Sequence, residues 1–402
     1  MDGQSSTPAN RLLADYQLAT TGTDFDFRPP GRISPFFDCA NAAGAHAYQR
    51  HLNSYMPWKY GDREDEQYHA LVTAATLVDV HSLHVIQIKG PQAMAFVDRL
   101  VTRDVTKMQE GRSSYVFVCN PEGLILADPV MLILDRETIW MTVGTVDLLL
   151  WVKGAAVFAG MDVTVSEVPA PSVQVAGPKA REVLQHLVSV DLGAVKPFRC
   201  LRATFAGLDV VISTTGYSDQ QSYELFLIGA EPYPRGRDLG NRMWRAIVAA
   251  GAPLGLEESP VEYDRSIEAG FVTIGHTEGE KVCALEHWLP GVVDLAKADF
   301  IGKAALRAIR DAGGPKRRMV GLVATDPEAR FTLAQWDMDV WQGTKVVGTS
   351  RRLAWSRALE RAIAIAFIDV HAAAAGTQLV LPHGTAVDDV TVVDLPFVAR
   401  RV

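Results

Sequence analysis

His81 and His84 stand three residues apart, and imidazoles at close spacing can ligate a transition metal. A metal site needs further ligands, and the neighbouring sequence supplies none, so no metal is expected. The cysteines Cys39, Cys119, Cys200 and Cys283 are widely spread and form no C-x-x-C pair. That argues against a zinc ribbon or a thioredoxin-like redox pair, and reduced, buried thiols are expected instead. There is no P-loop, dinucleotide fingerprint, nucleophile elbow or H-E-x-x-H motif. Aromatic residues are more suggestive. Phe36, Phe37, Tyr55, Trp58 and Tyr60 crowd one stretch, and Tyr115, Trp151 and Tyr217 follow. Aromatic faces hold sulfonium and quaternary ammonium groups. Most of the crowded rings are expected to pack beneath a long loop, with one or two lining a pocket for a methylated cation; Phe36, Trp58, Tyr60, Tyr115 and Trp151 are the candidate walls. Asp104, just after a helical stripe ending at Leu100, reads by itself as a turn or N-cap residue. Glu224 alternates with Tyr223 and Leu225 and reads as a solvated strand position. Glu268 reads as an exposed helix position.

The elements that must position these groups follow from periodicity. Val85–Lys89 alternates, stops at Gly90-Pro91, and leads into a helical stripe of Ala93, Phe96, Val97 and Leu100. The same strand, Gly-Pro, helix order returns at Val173–Ala176, Gly177-Pro178 and Lys179–Leu187. Such a unit packs its helix back on a sheet, so two α+β halves are expected. Asp62–Leu77 reads as a helix with an acidic first turn, Ala40–His51 as a short helix or turn, and Arg242–Ala250 as an amphipathic helix. From Lys316 onward short β runs alternate with turns, and Ser356–Arg361 is the one candidate helix among them. That shift marks a C-terminal all-β module. Residues 1–30 read as an N-terminal arm, 31–285 as two α+β subdomains, 286–315 as a connecting segment and 316–402 as a C-terminal β-barrel.

The chain has 402 residues, 47 acidic and 39 basic, for a net charge of −8. At ~150 residues per domain this length suggests two or three domains. A mildly acidic total argues against nucleic acid as the main partner. No apolar leader opens the chain, and the longest apolar stretch, Leu148–Ala159, is broken by Lys153 and too short to span a bilayer. A cytoplasmic protein without a membrane partner is expected. Oligomeric state is not legible.

Seven segments occur in an order that resembles the glycine-cleavage T-protein (aminomethyltransferase) superfamily. They are Leu77-Val78-Asp79-Val80-His81, Ile88-Lys89-Gly90-Pro91, Leu100 to Val105, Asn120-Pro121-Glu122-Gly123, Thr215-Gly216-Tyr217 with Tyr223-Glu224, Ile267-Glu268-Ala269-Gly270, and Asp299-Phe300-Ile301-Gly302-Lys303. Further features look most like the tetrahydrofolate-dependent dimethylsulfoniopropionate (DMSP) demethylases of that superfamily. These are Ser34-Pro35-Phe36, Ala42-Ala43-Gly44-Ala45, Asp128-Pro129-Val130, Asp147 to Gly154, Gly216-Tyr217-Ser218 and Asp394-Leu395-Pro396-Phe397.

The resemblance implies an α+β, three-domain aminomethyltransferase-like fold with a central folate channel and a C-terminal β-barrel. It implies tetrahydrofolate as cofactor and a small-molecule methyl donor. Asp104 matches an acidic residue near the reactive folate nitrogens, and Asn120 an Asn of the pterin pocket. Tyr217 and Glu224 match the Tyr and Glu of a G-Y-x5-Y/F-E stretch. Asp104 and Tyr217 are thus the catalytic candidates; Asn120, Tyr217, Glu224 and Arg265 are the cofactor-binding ones. A carboxylate suits the donor edge of a pterin. Another can orient the folate N5 or take the proton it loses on methylation.

Aminomethyltransferases carry an Arg where this chain has Glu262; Arg265, three residues on, is the candidate replacement. This departure speaks against glycine-cleavage activity. The leading expectation is methyl transfer from a sulfonium donor to tetrahydrofolate. The alternatives are aryl methyl ether O-demethylation, aminomethyl transfer, and a non-enzymatic folate-binding regulatory role. For the last, Glu280-Lys281-Val282-Cys283 is only a poor echo of a reactive K-G-C motif.

Overall fold

Two strand–turn–helix units, alike in their turns, each belong to one mainly antiparallel sheet. Strand His84–Lys89 ends at Gly90 and leads to helix Ala93–Leu100; strand Ser172–Ala176 ends at Gly177 and leads to helix Ala180–Gln185. Gly90 has φ +146° and Gly177 φ +127°, and a Cβ would meet the Asp162 carbonyl oxygen at 2.4 Å or that of Ala74 at 2.6 Å. Only glycine fits such a conformation and approach. The computed structural model describes residues 31–144, 147–272, 274, 281–331, 338–383 and 386–399. The expected arm, 1–30, lies outside the described residues, as does Glu280.

The first unit belongs to a five-stranded sheet in the order Thr164–Val168, His84–Lys89, Thr138–Val143, Val130–Asp135, Ser113–Tyr115. The second belongs to a six-stranded sheet in the order Cys200–Phe205, Leu208–Ser213, Ser222–Leu227, Ser172–Ala176, Ala75–Asp79, Leu256–Ser259. Its last pair is parallel and the rest antiparallel. One face of each sheet carries helices. Ile139 and Met141 pack with helices Ala93–Leu100 and Asp147–Ala159, while Leu225 and Tyr223 pack with helices Ala180–Gln185 and Arg237–Gly251. The opposite faces meet each other, with Val85, Leu132 and Trp140 from one sheet against Val211 and Phe226 from the other. Trp140 and Phe226 form an edge-to-face pair at 6.2 Å. Alternation therefore puts Glu224, next to Phe226, on an inner face.

The C-terminal strands close a six-stranded barrel from Arg317–Ala324 to Ala386–Val393. The α+β class and the barrel are as expected. Some elements differ. Residues Ser356 and Arg361 are opposed across an antiparallel hairpin, so no helix forms there. The helix expected over Asp62–Leu77 is Glu64–Thr73, and Leu77 lies in the buried strand Ala75–Asp79. A buried apolar run reads equally well as helix or strand, which is why the boundary was missed. The Ala40–His51 stretch divides into helix Phe37–Ala42 and strand Ala45–His51. All four cysteines are free and buried. No described helix is long and apolar enough to cross a membrane.

Candidate functional site

Glu224 is 5% exposed, contrary to the solvated position expected of it. Its register partners are Gln174 and Ser213 on the flanking strands. The Thr215 hydroxyl donates to its Oε2 at 2.6 Å, and Thr215, Ser213 and Ser113 hydroxyls continue as a file at 2.7 and 3.0 Å. Among the described residues Thr215 is the one donor to this carboxyl. Burial pushes the Glu224 carboxyl up, and the Thr215 hydroxyl offsets part of that rise. The site thus holds an acceptor short of donors.

Asn120 caps its own turn: its Oδ1 accepts from the Leu124 amide at 2.9 Å, and the Gly123 amide donates to its carbonyl at 3.0 Å. Asp104 lies in the loop after helix Ala93–Leu100. Its Oδ1 accepts from the Thr106 hydroxyl at 2.6 Å and the Thr106 amide at 2.9 Å. The Thr106 hydroxyl, then its amide, holds the carboxyl below the usual range. Asp104 is an ionised, partly exposed carboxylate in an Asx turn, with Lys107 Nζ at 3.7 Å.

Rings from distant segments gather around Tyr217. Tyr217 meets Tyr263 edge-on at 6.2 Å, and Tyr263 meets Trp58 at 5.6 Å. Tyr115 donates its hydroxyl to Asp128 Oδ2 at 2.8 Å. Burial first, then Asp128, then the Tyr217 hydroxyl hold the Tyr115 phenol well above its ordinary range. Tyr115 also packs at 5.4 Å from Phe117, which meets the His287 ring at 5.0 Å. Burial drives the His287 imidazole down to about 4, so it is neutral near pH 7.

Glu262 lines a cavity of about 10 Å³ together with Tyr217, Ser218, Gln174, Thr76 and Ser266. That is room for one water-sized group. Burial first, then the charge of Asp264, raises its carboxyl to about 7. Its Oε1 accepts from the Ser259 hydroxyl at 3.2 Å.

Trp58 and Tyr217 thus meet through Tyr263. Tyr115, whose phenol feels the Tyr217 hydroxyl, belongs to a second ring group with Phe117 and His287. Four other candidates are placed elsewhere. Phe36 is fully buried in the helix-covered core, 5.9 Å from Trp244. Tyr60 is buried with Ala40 and Ala45. Trp151 packs against the core of the five-stranded sheet. Phe36, Tyr60 and Trp151 pack with apolar cores, and no ring contact joins them to the group around Tyr217 among the described residues. Arg265 is 3% exposed and donates through Nη1 to Glu268 Oε2 at 3.0 Å. Glu268, expected on the surface, is fully buried and also accepts from Tyr68, Ser356 and the Ala358 amide. The geometry gives Arg265 to this cluster.

His81 and His84 face separate carboxylates, Asp79 and Glu167, each at 3.0 Å. No group of three or more possible metal ligands gathers among the described residues. Sequence reasoning missed Tyr263, Asp128 and His287 as parts of the site. Only Asp128 carried a signal, within Asp128-Pro129-Val130.

Residues 36–297 match the family described as GCVT N-terminal domain, and residues 317–399 match the glycine cleavage T-protein C-terminal barrel domain. An aminomethyltransferase of Moorella thermoacetica is 30% identical over 86% of this chain and 92% of its own length. The dimethylsulfoniopropionate demethylase of Ruegeria pomeroyi is 28% identical over 73% of this chain and 78% of its own. The crystal structure of the glycine cleavage system aminomethyltransferase T from Bartonella henselae superimposes with a TM-score of 0.80 at 19% identity, covering 92% of this chain and 99% of that one. That last likeness shows a shared fold.

Proposed function

The chain belongs to the glycine cleavage T-protein family, and from that premise we propose that it moves a methyl group from a small sulfonium donor, such as dimethylsulfoniopropionate, to N5 of tetrahydrofolate. The observation that carries the donor class is the meeting of Tyr217, Tyr263 and Trp58, with Tyr217 also lining the small cavity that Glu262 lines. Aromatic faces and a carboxylate together favour an organic cation. An Arg at position 262 would repel one.

The cofactor fits the polar groups present. Glu224 has a buried carboxyl with one donor, and a pterin edge offers donors. Asn120 uses its Oδ1 within its own turn, which leaves its amide nitrogen with no hydrogen-bond partner among the described residues. Glu224 and Asn120 would hold the pterin. When bound, tetrahydrofolate supplies the amine nitrogen that accepts the methyl group.

The protein's own part is modest. A sulfonium carbon–sulfur bond breaks with its electron pair left on sulfur, so the leaving group is a neutral thioether that needs no acid. Tyr217 and Tyr263 orient the cation and exclude water from it. Asp104 takes the proton that methylation of an amine releases. A carboxylate held below its usual range is a weak base, which is enough for a strongly acidic ammonium, and its partial exposure lets the proton pass to solvent.

The test incubates the protein with tetrahydrofolate and a panel of sulfonium, quaternary ammonium and methoxy-aromatic donors, and measures 5-methyltetrahydrofolate by mass spectrometry. Product from a sulfonium donor is expected. Product only from methoxy-aromatics would move the reading to O-demethylation, and none from any donor would remove demethylation altogether.

A further inference from the structure

We propose that Lys297 is a positioning residue for Asp104, acting as a latch that holds the 101–105 loop in place for the reaction. The inference rests on the reading of Asp104 as a participant in methyl transfer. Lys297 lies far along the chain from this loop, yet its ammonium is surrounded by the loop's oxygens. Nζ donates to the Val101 carbonyl at 3.0 Å, to the Arg103 carbonyl at 2.9 Å, and to the Asp98 carbonyl. It also pairs with Asp98 Oδ1 at 2.8 Å, with both side chains buried.

The Asp98 carbonyl is one that helix Ala93–Leu100 leaves open at its C-terminus, where positive charge is favoured, Val101 is that helix's C-cap, and Arg103 lies in the loop beyond it. The Arg103 carbonyl belongs to the peptide that joins it to Asp104, so Lys297 grips the backbone at the candidate residue itself. Asp98 completes the latch from the other side, since its Oδ1 accepts from the Val105 amide at 3.0 Å. Asp104 is thus bracketed by two residues whose backbones are tied to one buried ion pair. The segment bearing Lys297 is fixed to the same loop independently. Thr102 donates its hydroxyl to the Val292 carbonyl at 2.8 Å, and the Asp294 amide donates to the Thr102 carbonyl at 2.9 Å. Lys297 does not touch the Asp104 side chain in any of these contacts. After the Thr106 bonds, its charge also helps to hold the Asp104 carboxyl below its usual range. Its positioning role would be exerted through the loop.

A lysine that merely stabilises the fold would show the same contacts, so the test must separate the two. K297M alone leaves Asp98 charged and buried, which destabilises the fold; D98N/K297M removes both charges and avoids that. Turnover with tetrahydrofolate and a sulfonium donor is measured for D98N/K297M, D104N and the triple variant, with trypsin cleavage after Arg103 and Lys107 measured in parallel. D98N/K297M should lower kcat by ~100-fold, the scale of a small misplacement of a reacting group, with KM for tetrahydrofolate little changed. In the D104N background the same change should cost nothing further, and cleavage in the loop should quicken. Losses that multiply in the triple variant, or a cleavage rate that stays the same, overturn the proposal. If D104N alone leaves turnover intact while cleavage quickens, the catalytic reading of Asp104 fails and the latch on the loop stands.

Discussion

Arg265 donates to Glu268 across one helical turn, Nη1 to Oε2 at 3.0 Å, and both side chains are closed off from solvent. Glu268 takes three further donors, including the Ser356 hydroxyl at 2.7 Å from the barrel, so the pair ties helix Tyr263–Glu268 to the C-terminal strands. Removing one member of a buried ion pair costs ~3–5 kcal/mol, because the other charge is left unpaired. R265M should therefore lower the melting temperature markedly, while the protein that remains folded binds tetrahydrofolate as before. A thermal melt with a parallel folate titration checks this. A large loss of folate affinity with an unchanged melt would return Arg265 to the cofactor.

Glu224 makes the opposite prediction. Its carboxyl is buried with a single donor, and a bound pterin would supply the rest. E224Q replaces one acceptor oxygen with a donor group that faces the pterin's own donors. Hydrogen bonds to charged groups are worth ~1.5–3 kcal/mol, so tetrahydrofolate should bind roughly ten- to a hundredfold more weakly. Isothermal titration measures it. T215V is the companion variant: it removes the one donor, raises the carboxyl further and should weaken binding less.

For Glu262 the expected effect is a pH dependence. Its carboxyl is raised from 4.5 to about 7, so the folded protein keeps a proton that the unfolded chain releases. The sign follows: Glu262 makes stability fall as pH rises from about 4.5 to about 7. Its charge on the folded protein appears around the upper end of that window. The KM of a sulfonium donor should fall as pH rises from ~6 to ~8, where the carboxylate becomes available to a cation. E262Q should flatten that dependence and leave the KM of tetrahydrofolate nearly constant. A KM for the donor that does not respond to pH in the parent protein would separate Glu262 from the donor.

The frame of the molecule was legible because it is local. The alternation at Val85–Lys89 and Val173–Ala176, each stopped by Gly-Pro, foretold two matching units, and the short β runs after Lys316 foretold the barrel. Glu224 shows where local reading ends. Alternation correctly set it opposite Tyr223 and Leu225, but only the packing of two sheets, seen at Trp140 and Phe226, makes that face an interior. Glu268 was misread for the same reason, since its partners Tyr68 and Ser356 are remote in sequence. The aromatic groups are the clearest case. Trp58, Tyr115, Tyr217, Tyr263 and His287 come from five separate segments, and no periodicity in the chain could have collected them.

His287 sets the acid limit of the site. Burial lowers its imidazole from 6.5 to about 4, and its ring packs on Phe117 and Tyr115. A histidine held neutral in the folded state is protonated more readily once the chain unfolds. Its contribution to stability is therefore complete above about 6.5 and is lost progressively as pH falls towards about 4. H287F keeps an aromatic ring against Phe117 and removes the titration, but it also leaves the Leu289 amide without the Nδ1 acceptor it now has at 3.1 Å. The variant should accordingly be somewhat less stable at pH ~8, by the ~1 kcal/mol of one hydrogen bond, yet lose less on acidification. Urea denaturation at several pH values between ~4 and ~8 distinguishes the two effects. If the parent and H287F lose stability in parallel across that range, the imidazole is already satisfied in its charged form and burial beside Phe117 and Tyr115 does not hold it neutral.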